Sequence, residues 1–505
     1  MDRETRTVDV AVIGAGTAGL AAYRTAIANG ARAVVIEAGA YGTTCARVGC
    51  MPSKLLIAAA EAAHHARDAG PFGVTATVSV DGKAVMDRVR RERDRFVGFV
   101  IDGVERIADA DKIRGRARFV GPHTLEVTEL AESDASLRSS TAARSFLAAP
   151  SSGRTDCVRV EAKSIVVATG SSPVIPAMFE GVRDRLVIND DVFAWDRLPA
   201  SVAVFGTGVI GLELGQSLHR LGVRVRVFGR GGTVGPLTDP AVREAAAAAI
   251  SAEIPIDADA RVHGVRRVFD GVEVEFERHG QRTTELFESV LVAAGRRPNI
   301  AGLGLEHAGI PLDERGTPHF DRTTLRCGDS AIFIAGDVND DVPLLHEAAD
   351  EGRIAGENAA HYPKVTAVDR RSALAIAFTD PQIALVGSTW SELAGREDIV
   401  AGSVSFDDQG RSRVMRRNRG LARLYADANT GRFLGAEMAG PAAEHIGHLL
   451  AWAHQQRLTI DGMLAMPFYH PVVEEGIRTA LRDASAKLAA LRDRPRDTTR
   501  RTSVA

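Results

Sequence analysis

The sequence predicts an α/β protein with two Rossmann-like dinucleotide-binding domains and a C-terminal α+β domain. Two stretches of the chain each combine an apolar strand, a glycine-rich turn and a helix, which is the pattern of a βαβ unit that binds a dinucleotide. From about Lys364 to about Arg482 the pattern changes to mixed strands and helices. At 505 residues, the chain has room for several domains of ordinary size.

Composition is that of an ordinary globular protein. Apolar residues make up 45% and charged residues 25% of the chain, and the formal net charge is −3. This balance gives no reason to expect nucleic acid or a membrane surface as a partner. No apolar run reaches the roughly 18 residues of a membrane span, and the charged N-terminus is unlike a signal peptide. Only four cysteines are present, so a reducing cytoplasm is the expected compartment.

The first βαβ unit begins with the apolar strand 8–13 and the turn GAGTAG, which places Gly14, Gly16 and Gly19 in the G-x-G-x-x-G spacing. A helix and a second strand follow, and Glu37 ends that strand 18 residues after Gly19. The first glycine allows the tight turn, the second lets the backbone approach a pyrophosphate, and the third lets helix and strand pack closely. The acid accepts hydrogen bonds from ribose hydroxyls, and the helix N-terminus faces the phosphates.

The stretch YGTTCARVGCMPSK at residues 41–54 indicates redox chemistry. It contains Cys45 and Cys50 and begins four residues after Glu37. A cysteine pair beside a redox cofactor can cycle between disulfide and dithiol. Five positions around a helix span roughly 500°, so we expect Cys45 in the loop before the helix at 52–67 and Cys50 near the N-terminus of that helix, where a thiolate is stabilised. No second Cys or His pair with zinc spacing accompanies them, so no metal site is predicted.

The second βαβ unit has the strand 201–205 and the turn GTGVIG, which places Gly206, Gly208 and Gly211 in the same spacing. A helix and another strand follow, so the unit is complete. Two such units in one chain imply two bound dinucleotides.

The two units differ at the position of the acid. In the first unit, Glu37 lies 23 positions after Gly14. The same offset from Gly206 reaches Gly229, and Arg230 follows. An acid there favours NAD through the ribose 2′-hydroxyl, whereas an arginine can receive the 2′-phosphate of NADP. Arg230 is therefore a candidate for NADP binding, and a plain surface-loop residue is the open alternative.

Three further strands end in glycine turns. The segment SIVVATG ends at Gly170, LVAAGRRPN contains Gly295, and AIFIAGD ends at Gly336 and Asp337. An aspartate at the C-terminal end of a strand points into the crevice where ligands bind in open α/β sheets. We therefore expect Asp337 to face a ligand.

A candidate acid/base lies near the end of the predicted folded chain. His470 occurs in FYHPVVEEG, and Glu474 and Glu475 follow it by four and five positions. A carboxylate bonded to one imidazole nitrogen fixes the tautomer and raises the basicity of the other nitrogen. Opening and closing a disulfide requires such a group to move protons.

With these motifs in this order, the chain resembles the class I pyridine nucleotide-disulfide oxidoreductases, the flavoprotein family of dihydrolipoamide dehydrogenase and glutathione reductase. The resemblance covers roughly residues 8–482 and rests on VIGAGTAG, CARVGCMPSK, VATG, GTGVIGLELG, AAGRRPN, IFIAGD and YHPVVEE. It implies FAD on the first unit, NAD or NADP on the second, and a homodimer with its interface in the C-terminal domain.

The resemblance also implies residue roles in the redox site. Cys50 would be the charge-transfer sulfur against the flavin, and Cys45 would be the interchange thiol that meets the substrate. His470 would be the acid/base, oriented by Glu475 and supplied by the partner subunit.

Three more roles concern the flavin. Lys54 would pair with Glu213 beside it, and Asp337 would bind its ribitol.

The chain departs from the family pattern in three places: Thr43 replaces a glycine, Arg47 replaces the usual asparagine between the cysteines, and Val472 replaces a threonine. An extra cation at Arg47 could lower thiolate pKa values or alter the entrance to the substrate site.

Several activities within the family stay open. The run VIGLELG is most similar to dihydrolipoamide dehydrogenase, so the lead hypothesis is oxidation of dihydrolipoamide, free or on a lipoyl domain, with NAD(P)⁺. Mercuric reductases and large thioredoxin reductases carry a C-terminal redox pair, whereas the last cysteine here is Cys327. The alternatives are an NADPH-dependent reductase of another low-molecular-weight disulfide and, in a different class, a redox-inactive flavin-binding regulatory subunit.

The predicted domain order places the second nucleotide-binding domain inside the first. The predicted segments are 1–175 and 293–363 for the FAD-binding domain, 176–292 for the NAD(P)-binding domain, 364–482 for the dimerisation domain, and 483–505 for a tail, whose last 15 residues, from Leu491, are expected to be frayed. Residues 129–156 contain seven serines and little periodicity, which predicts a flexible surface insertion. A tolerated insertion is the simpler hypothesis, and a regulatory role stays open.

Overall fold

The computed structural model describes residues 4–129, 157–278 and 280–493. Of the predicted insertion at 129–156, only Glu129 belongs to the described residues, and the tail lies outside them from residue 494 onward. Within them, the α-helices are α1 (Thr17–Ala28), α2 (Thr44–Val48), α3 (Cys50–Arg67), α4 (Gly82–Glu105), α5 (Asn189–Val192), α6 (Val209–Arg220), α7 (Pro240–Ser251), α8 (Leu345–His361), α9 (Trp390–Leu393), α10 (Gly410–Val414), α11 (Ala443–Gln455), α12 (Ile460–Leu464) and α13 (Glu475–Arg492).

The strands of the same residues are β1 (Thr5–Ile13), β2 (Ala33–Glu37), β3 (Lys112–Gly121), β4 (Thr124–Glu129), β5 (Cys157–Val167), β6 (Ser171–Pro173), β7 (Leu186–Ile188), β8 (Ser201–Phe205), β9 (Arg224–Phe228), β10 (Ile256–Asp257), β11 (Val262–Val268), β12 (Gly271–Arg278), β13 (Gln281–Phe287), β14 (Ser289–Val292), β15 (Arg296–Pro298), β16 (Ile332–Ile334), β17 (Leu374–Ala377), β18 (Gln382–Gly387), β19 (Ile399–Ser405), β20 (Leu421–Asp427) and β21 (Phe433–Gly440). None of the helices in these ranges is long and apolar enough to cross a membrane.

The chain divides into two compact units. The first comprises Met1–Phe205, Ser217–Arg224 and His263–Arg370, and the second comprises Gly206–Gln216, Val225–Val262 and Arg371–Ala505. The boundary passes through the predicted second βαβ segment, since β8 belongs to the first unit and the glycine turn after it to the second.

The main sheet of the first unit is built on parallel strands. Strand β1 lies between β2 and β5, β16 joins the far side of β5, and all these pairs are parallel. The hairpin β3–β4 joins β2 to β5. Val10 and Val12 in β1 are fully buried, as expected for a strand covered on both faces. The predicted first βαβ unit is therefore present as β1, α1 and β2.

Helices α1 and α8 pack closely in the same unit. A Cβ atom on Gly352 would lie 2.2 Å from the carbonyl oxygen of Ala18, and one on Gly356 would lie 2.3 Å from that of Ala22. Such contacts leave room only for glycine at both positions. This packing holds α1, and the glycine turn before it, against the end of β16.

Three smaller sheets complete the first unit. Strand β14 pairs in parallel with β7 and β8. Strands β12 and β13 form an antiparallel pair within the three-stranded sheet β11–β12–β13. The short strands β6 and β15, which follow Gly170 and Gly295 in the sequence, pair in antiparallel fashion.

The second unit contains a five-stranded antiparallel sheet in the order β17–β18–β21–β20–β19. Helices α11 and α13 contribute to its apolar core, in which Leu450, Ala484 and Leu488 are buried. Strands β9 and β10 form a parallel pair. Helix α13 extends to Arg492, so residues 483–492 of the predicted tail are helical. Ala484 and Leu488 in this part of the helix belong to the buried core of the sheet.

Candidate active site

The two redox cysteines lie on consecutive helices. Cys45 is in α2, and Cys50 is the first residue of α3. The expectation that Cys45 lies in a loop is therefore wrong, whereas the position of Cys50 at a helix N-terminus is confirmed. Gly49 separates the helices, and a Cβ atom there would lie 3.1 Å from the carbonyl oxygen of Thr44. The break at Gly49 lets two cysteines that could not share one helical face approach each other.

The two cysteines are not joined in a disulfide, and Cys45 is half-buried whereas Cys50 is exposed. The hydrogen bond between their side chains raises the pKa of the Cys45 thiol, and burial raises it further. At the start of α3, backbone N–H groups favour a negative charge at Cys50. The pair therefore has the asymmetry needed for thiol–disulfide exchange, with one inner and one outer sulfur.

Arg47 lies between the two cysteines in the sequence, and its guanidinium donates to the carbonyl oxygen of Ala40 at 3.4 Å. Burial lowers the pKa of Arg47, and the acids that oppose this effect are Asp190 and Glu37. The main influences on the Cys45 pKa come from Cys50 instead. The structure gives no support to a direct effect of Arg47 on the thiols.

The first glycine turn has the shape of a phosphate cradle. Gly14 has φ of 107°, and a Cβ atom on it would lie 2.3 Å from the carbonyl oxygen of Ala168. On Gly19, a Cβ atom would lie 1.8 Å from the carbonyl oxygen of Gly14. On Gly16, it would meet no atom within 4 Å, so the turn is open on that side. No side chain caps α1, which leaves its first N–H groups available to an anion.

Glu37 is fixed beside this turn. Its carboxylate accepts from the N–H groups of Ala15 at 2.7 Å and Gly39 at 2.5 Å. Each carboxylate oxygen can accept a second hydrogen bond, so ribose hydroxyls can still bind. These residues fit a dinucleotide.

Asp337 belongs to a chain of hydrogen bonds that the sequence did not reveal. The Ser171 hydroxyl donates to Asp337 at 2.7 Å and accepts from the Arg296 guanidinium at 2.8 Å. Arg296 also donates to the carbonyl oxygen of Ser171 at 2.7 Å. The pairing of β6 with β15 brings these residues together. The serine after Gly170 and the arginine after Gly295 were the only signals for this arrangement.

The strand crossing at Gly170 and Gly295 is fixed by an asparagine. Asn299 donates from its side chain to the carbonyl oxygen of Thr169 at 2.9 Å, and its N–H donates to that of Gly170 at 2.9 Å. Both glycines have positive φ, 69° and 104°. Gly336, before Asp337, also has positive φ, and its N–H donates to the buried Glu351 at 2.7 Å.

The second glycine turn resembles the first. Gly206 has φ of 125°, and a Cβ atom on Gly208 would meet no atom within 4 Å. Gly211 lies in α6, as does the buried Glu213, whose carboxylate accepts from the N–H of Phe378 at 2.9 Å. The turn therefore leaves the same open approach for a second nucleotide.

His470 and Glu475 form the predicted pair. The distance from His470 Nδ1 to Glu475 Oε2 is 2.9 Å, and Arg478 donates to the other oxygen of Glu475 at 3.1 Å. The His470 side chain is 80% exposed, whereas that of Glu475 is 19% exposed. With Nδ1–H held by the carboxylate, Nε2 is the nitrogen that can exchange protons with solvent or substrate.

The structure thus brings four groups of predicted residues together separately. These are the cysteine pair, the first glycine turn with Glu37, the second glycine turn, and the His470–Glu475 pair. Asp337 lies with Ser171, which was not predicted. The pairing of Lys54 with Glu213 and the roles of all these residues in catalysis stay predictions.

Comparisons with known proteins agree with this arrangement. The family model described as pyridine nucleotide-disulphide oxidoreductase matches residues 8–352, and that of the dimerisation domain of the same proteins matches residues 374–481. A dihydrolipoyl dehydrogenase of Halobacterium salinarum is 30% identical over 489 residues, which cover 94% of this chain and 96% of that protein. A mercuric reductase of Acidithiobacillus ferrooxidans is 31% identical over 481 residues, 93% of this chain and 81% of that protein.

A solved structure is also similar over nearly the whole chain. LpdA of Mycobacterium tuberculosis superposes with a TM-score of 0.76 at 25% identity, over 94% of this chain and 99% of that one. The similarity therefore extends through both compact units.

Proposed function

This chain belongs to the pyridine nucleotide-disulphide oxidoreductase family, and we propose that within it the chain is a dihydrolipoamide dehydrogenase. The family assignment makes it an enzyme, a flavoprotein disulfide oxidoreductase that uses FAD and NAD(P), and gives it a dimerisation domain that supports a homodimer. The redox-inactive alternative is therefore set aside. The hydrogen-bonded pair Cys45 and Cys50 carries the proposal, and relatives named dihydrolipoyl dehydrogenase at 30% identity support the substrate.

The first unit has the residues to hold FAD. Gly16 leaves the turn open for the pyrophosphate, Glu37 would receive the ribose, and Asp337, oriented by Ser171, would receive the ribitol. A bound FAD would supply the two-electron chemistry that links the cysteine pair to the nicotinamide nucleotide. The remaining chemistry belongs to side chains of this protein.

The thiol chemistry proceeds by two exchanges. A thiolate of dihydrolipoamide attacks Sγ of Cys45 in the Cys45–Cys50 disulfide, which forms a mixed disulfide and releases Cys50 as a thiolate. The second substrate thiol then attacks the substrate sulfur of the mixed disulfide. This closes the lipoamide disulfide and releases Cys45, so that the cysteine pair has gained two electrons.

His470 of the partner subunit moves the protons in this proposal. Its Nε2 takes the proton of the second substrate thiol, and Glu475 stabilises the resulting imidazolium. The carboxylate also keeps the imidazole in the tautomer that leaves Nε2 free to accept. Glu475 is thus a positioning residue, itself held by Arg478.

We expect His470→Gln to lower kcat for dihydrolipoamide by about 10²–10³-fold, because a general acid/base contributes on this scale. Glu475→Gln should lower it less, about tenfold, and shift the pH profile of kcat, because it removes a charge without removing the imidazole. The matched control is His361→Gln. His361 is an exposed histidine of the other unit, and its Nδ1 lies 3.0 Å from the carbonyl oxygen of Glu357. An unchanged kcat in His470→Gln would contradict the assignment.

We expect Ser171→Ala to weaken FAD binding by about tenfold, since the hydroxyl loses its hydrogen bonds to the Asp337 carboxylate and the Arg296 guanidinium. The measurement is the fluorescence of released FAD after dilution. Ser172→Ala is the control, because the Ser172 hydroxyl donates to Asn299 rather than to Asp337. Equal FAD release from the two variants would show that the Ser171–Asp337 bond plays no part in FAD binding.

A direct assay separates the lead function from its alternative. Purified enzyme is given dihydrolipoamide with NAD⁺ or NADP⁺, and glutathione disulfide with NADH or NADPH. Rapid turnover of dihydrolipoamide with slow turnover of glutathione disulfide is the expected result. The reverse would favour an NADPH-dependent reductase of another small disulfide. A lipoyl domain as physiological partner, a cytoplasmic location and the predicted domain boundaries stay predictions.

A further inference from the structure

Five arginines are concentrated in one short segment of the second unit, residues 406–420, which is called the arginine turn below. These residues are Arg411, Arg413, Arg416, Arg417 and Arg419. All five side chains are exposed. The acids of the same segment are Asp407 and Asp408, and it contains no lysine. The arginine turn is therefore positively charged, although the whole chain has a formal net charge of −3.

The backbone of the arginine turn is held in place by buried and bridging side chains. Ser412 is fully buried, and both its N–H and its hydroxyl donate to Gln409 Oε1 at 2.7 Å. The side chain of Asn418 donates to the carbonyl oxygen of Asp407 at 2.8 Å, which joins the two ends of the turn. The arginines thus extend from a fixed backbone.

Gln409 also fixes the arginine turn beside the predicted acid/base. Its Nε2 donates to the carbonyl oxygen of Val472 at 2.8 Å, and Val472 lies two positions after His470. A Cβ atom on Gly476, in the first turn of α13, would lie 3.4 Å from Cγ of Gln409. The His470 side chain is 80% exposed. The cationic segment and the imidazole are therefore neighbours on the second unit.

Most of this positive charge is not matched by acids of the chain. Arg413 pairs with the exposed Asp408 at 2.8 Å. Arg411, Arg416 and Arg419 form no ion pair with a carboxylate of the residues that the structure describes. Val414, in the same turn, is an exposed apolar side chain. Arginine is enriched at protein interfaces and lysine is depleted there, and a guanidinium binds a carboxylate through two parallel hydrogen bonds. This composition favours a docking surface for carboxylates.

We propose that the arginine turn docks an acidic polypeptide segment of the protein that carries the dithiol substrate. The inference rests on the proposed function for the identity of that dithiol. Dihydrolipoamide itself has no charge for the guanidinium groups to bind, and a small molecule reaches few of the arginines, which extend over nine positions of the chain. A polypeptide with several carboxylates can pair with them together. Docking at this place delivers the dithiol next to His470.

The test is the binding of two labelled peptides to the full-length, FAD-loaded enzyme. Each peptide contains one lipoyl-lysine, flanked by four glutamates in one peptide and by four glutamines in the other. Fluorescence anisotropy gives the two Kd values. At low ionic strength we expect the glutamate peptide to bind at least about tenfold tighter. The preference should shrink to about twofold or less in about 0.5 M salt, because exposed charges are screened.

A triple variant of the unpaired arginines tests whether this segment is responsible. It carries Arg411→Gln, Arg416→Gln and Arg419→Gln. We expect its Kd values for the two peptides to lie within about twofold of each other, because the carboxylates lose their partners. Its oligomeric state in sedimentation should equal that of the wild type, since the three side chains are exposed.

The matched control removes the same charge elsewhere. It carries Arg266→Gln, Arg278→Gln and Arg282→Gln, at three exposed arginines of the β11–β12–β13 sheet in the first unit. This variant should keep the wild-type preference for the glutamate peptide. A loss of preference equal to that of the first triple variant would show that only net charge matters, and would overturn the proposal.

Four further outcomes would overturn it. The first two are equal binding of both peptides by the wild type and a preference that survives the triple variant of the arginine turn. The third is a KM for dihydrolipoate at least about tenfold below that for dihydrolipoamide and lost in the triple variant, which would assign the arginines to a small anionic substrate. The fourth is dissociation of that variant into monomers, which would assign them to the subunit contact. Peptide binding requires no turnover, so failure to oxidise dihydrolipoamide would refute the proposed function alone.

Discussion

Replacing Cys50 by serine should lower the turnover of dihydrolipoamide by about 10³-fold or more, because loss of a residue that takes part in the covalent steps has effects on this scale. A serine hydroxyl cannot form the disulfide through which electrons enter the enzyme. Cys50 is exposed at the start of α3, so the change should leave the fold and FAD binding intact. The measurements are kcat for dihydrolipoamide, FAD content and the thermal unfolding midpoint.

Cys157 supplies the matched control. It is half-buried at the start of β5, is not in a disulfide and has no part in the proposed chemistry. Cys157→Ser should keep wild-type turnover, and Cys45→Ser should lose it as Cys50→Ser does. Turnover of dihydrolipoamide by Cys50→Ser at a tenth of the wild-type rate would mean that the disulfide cycle is not the route of the electrons.

The second large effect is expected on stability, at Asp239. This carboxylate is fully buried in the second unit. Oδ1 caps α7 by accepting from the N–H groups of Ala241 and Val242. Oδ2 accepts from Arg423 at 2.8 Å and from the Tyr425 hydroxyl at 3.0 Å. One side chain therefore joins the start of a helix to the five-stranded sheet.

Asp239→Ala should lower the free energy of unfolding by about 3–5 kcal/mol, because it leaves the charge of Arg423 without its buried partner. Asp239→Asn should cost less, since the amide oxygen can still cap α7. Urea unfolding followed by tryptophan fluorescence measures both, and Trp390, one of three tryptophans, reports on this network because its ring lies 5.2 Å from the Arg423 guanidinium. Asp398→Ala removes an exposed acid paired with Arg396 and should leave the midpoint unchanged. Equal midpoints for Asp239→Ala and wild type would refute the prediction.

Glu437 extends the same network. Its carboxylate is fully buried and accepts from the N–H groups of Thr238 at 2.7 Å, Asp239 at 2.9 Å and Trp390 at 2.8 Å. Nothing in the sequence marked Asp239 or Glu437, which lie 198 positions apart. Burial of two carboxylates is tolerated because every oxygen has donors.

Much of the site could be predicted from local patterns. The spacing of Gly14, Gly16, Gly19 and Glu37 after an apolar strand requires only that neighbouring residues adopt a strand, a turn and a helix. The same holds for Cys50 at the start of a helix. It also holds for His470 and Glu475, since Glu475 begins α13 and His470 lies five positions before it. These predictions need no knowledge of the rest of the chain. The structure has the strand, turn and helix, the start of α3 at Cys50 and the His470–Glu475 hydrogen bond.

The sequence by itself determined the α/β class, the two glycine turns, the cysteine pair and the histidine–glutamate pair, because each depends on short-range spacing. Only the tertiary structure decided which distant groups meet. It placed Ser171 and Arg296 on Asp337, joined Gln409 to Val472, and turned Arg47 toward Ala40. Side-chain partners from separate strands are set by sheet pairing and close packing, and the periodicity of a sequence does not record them.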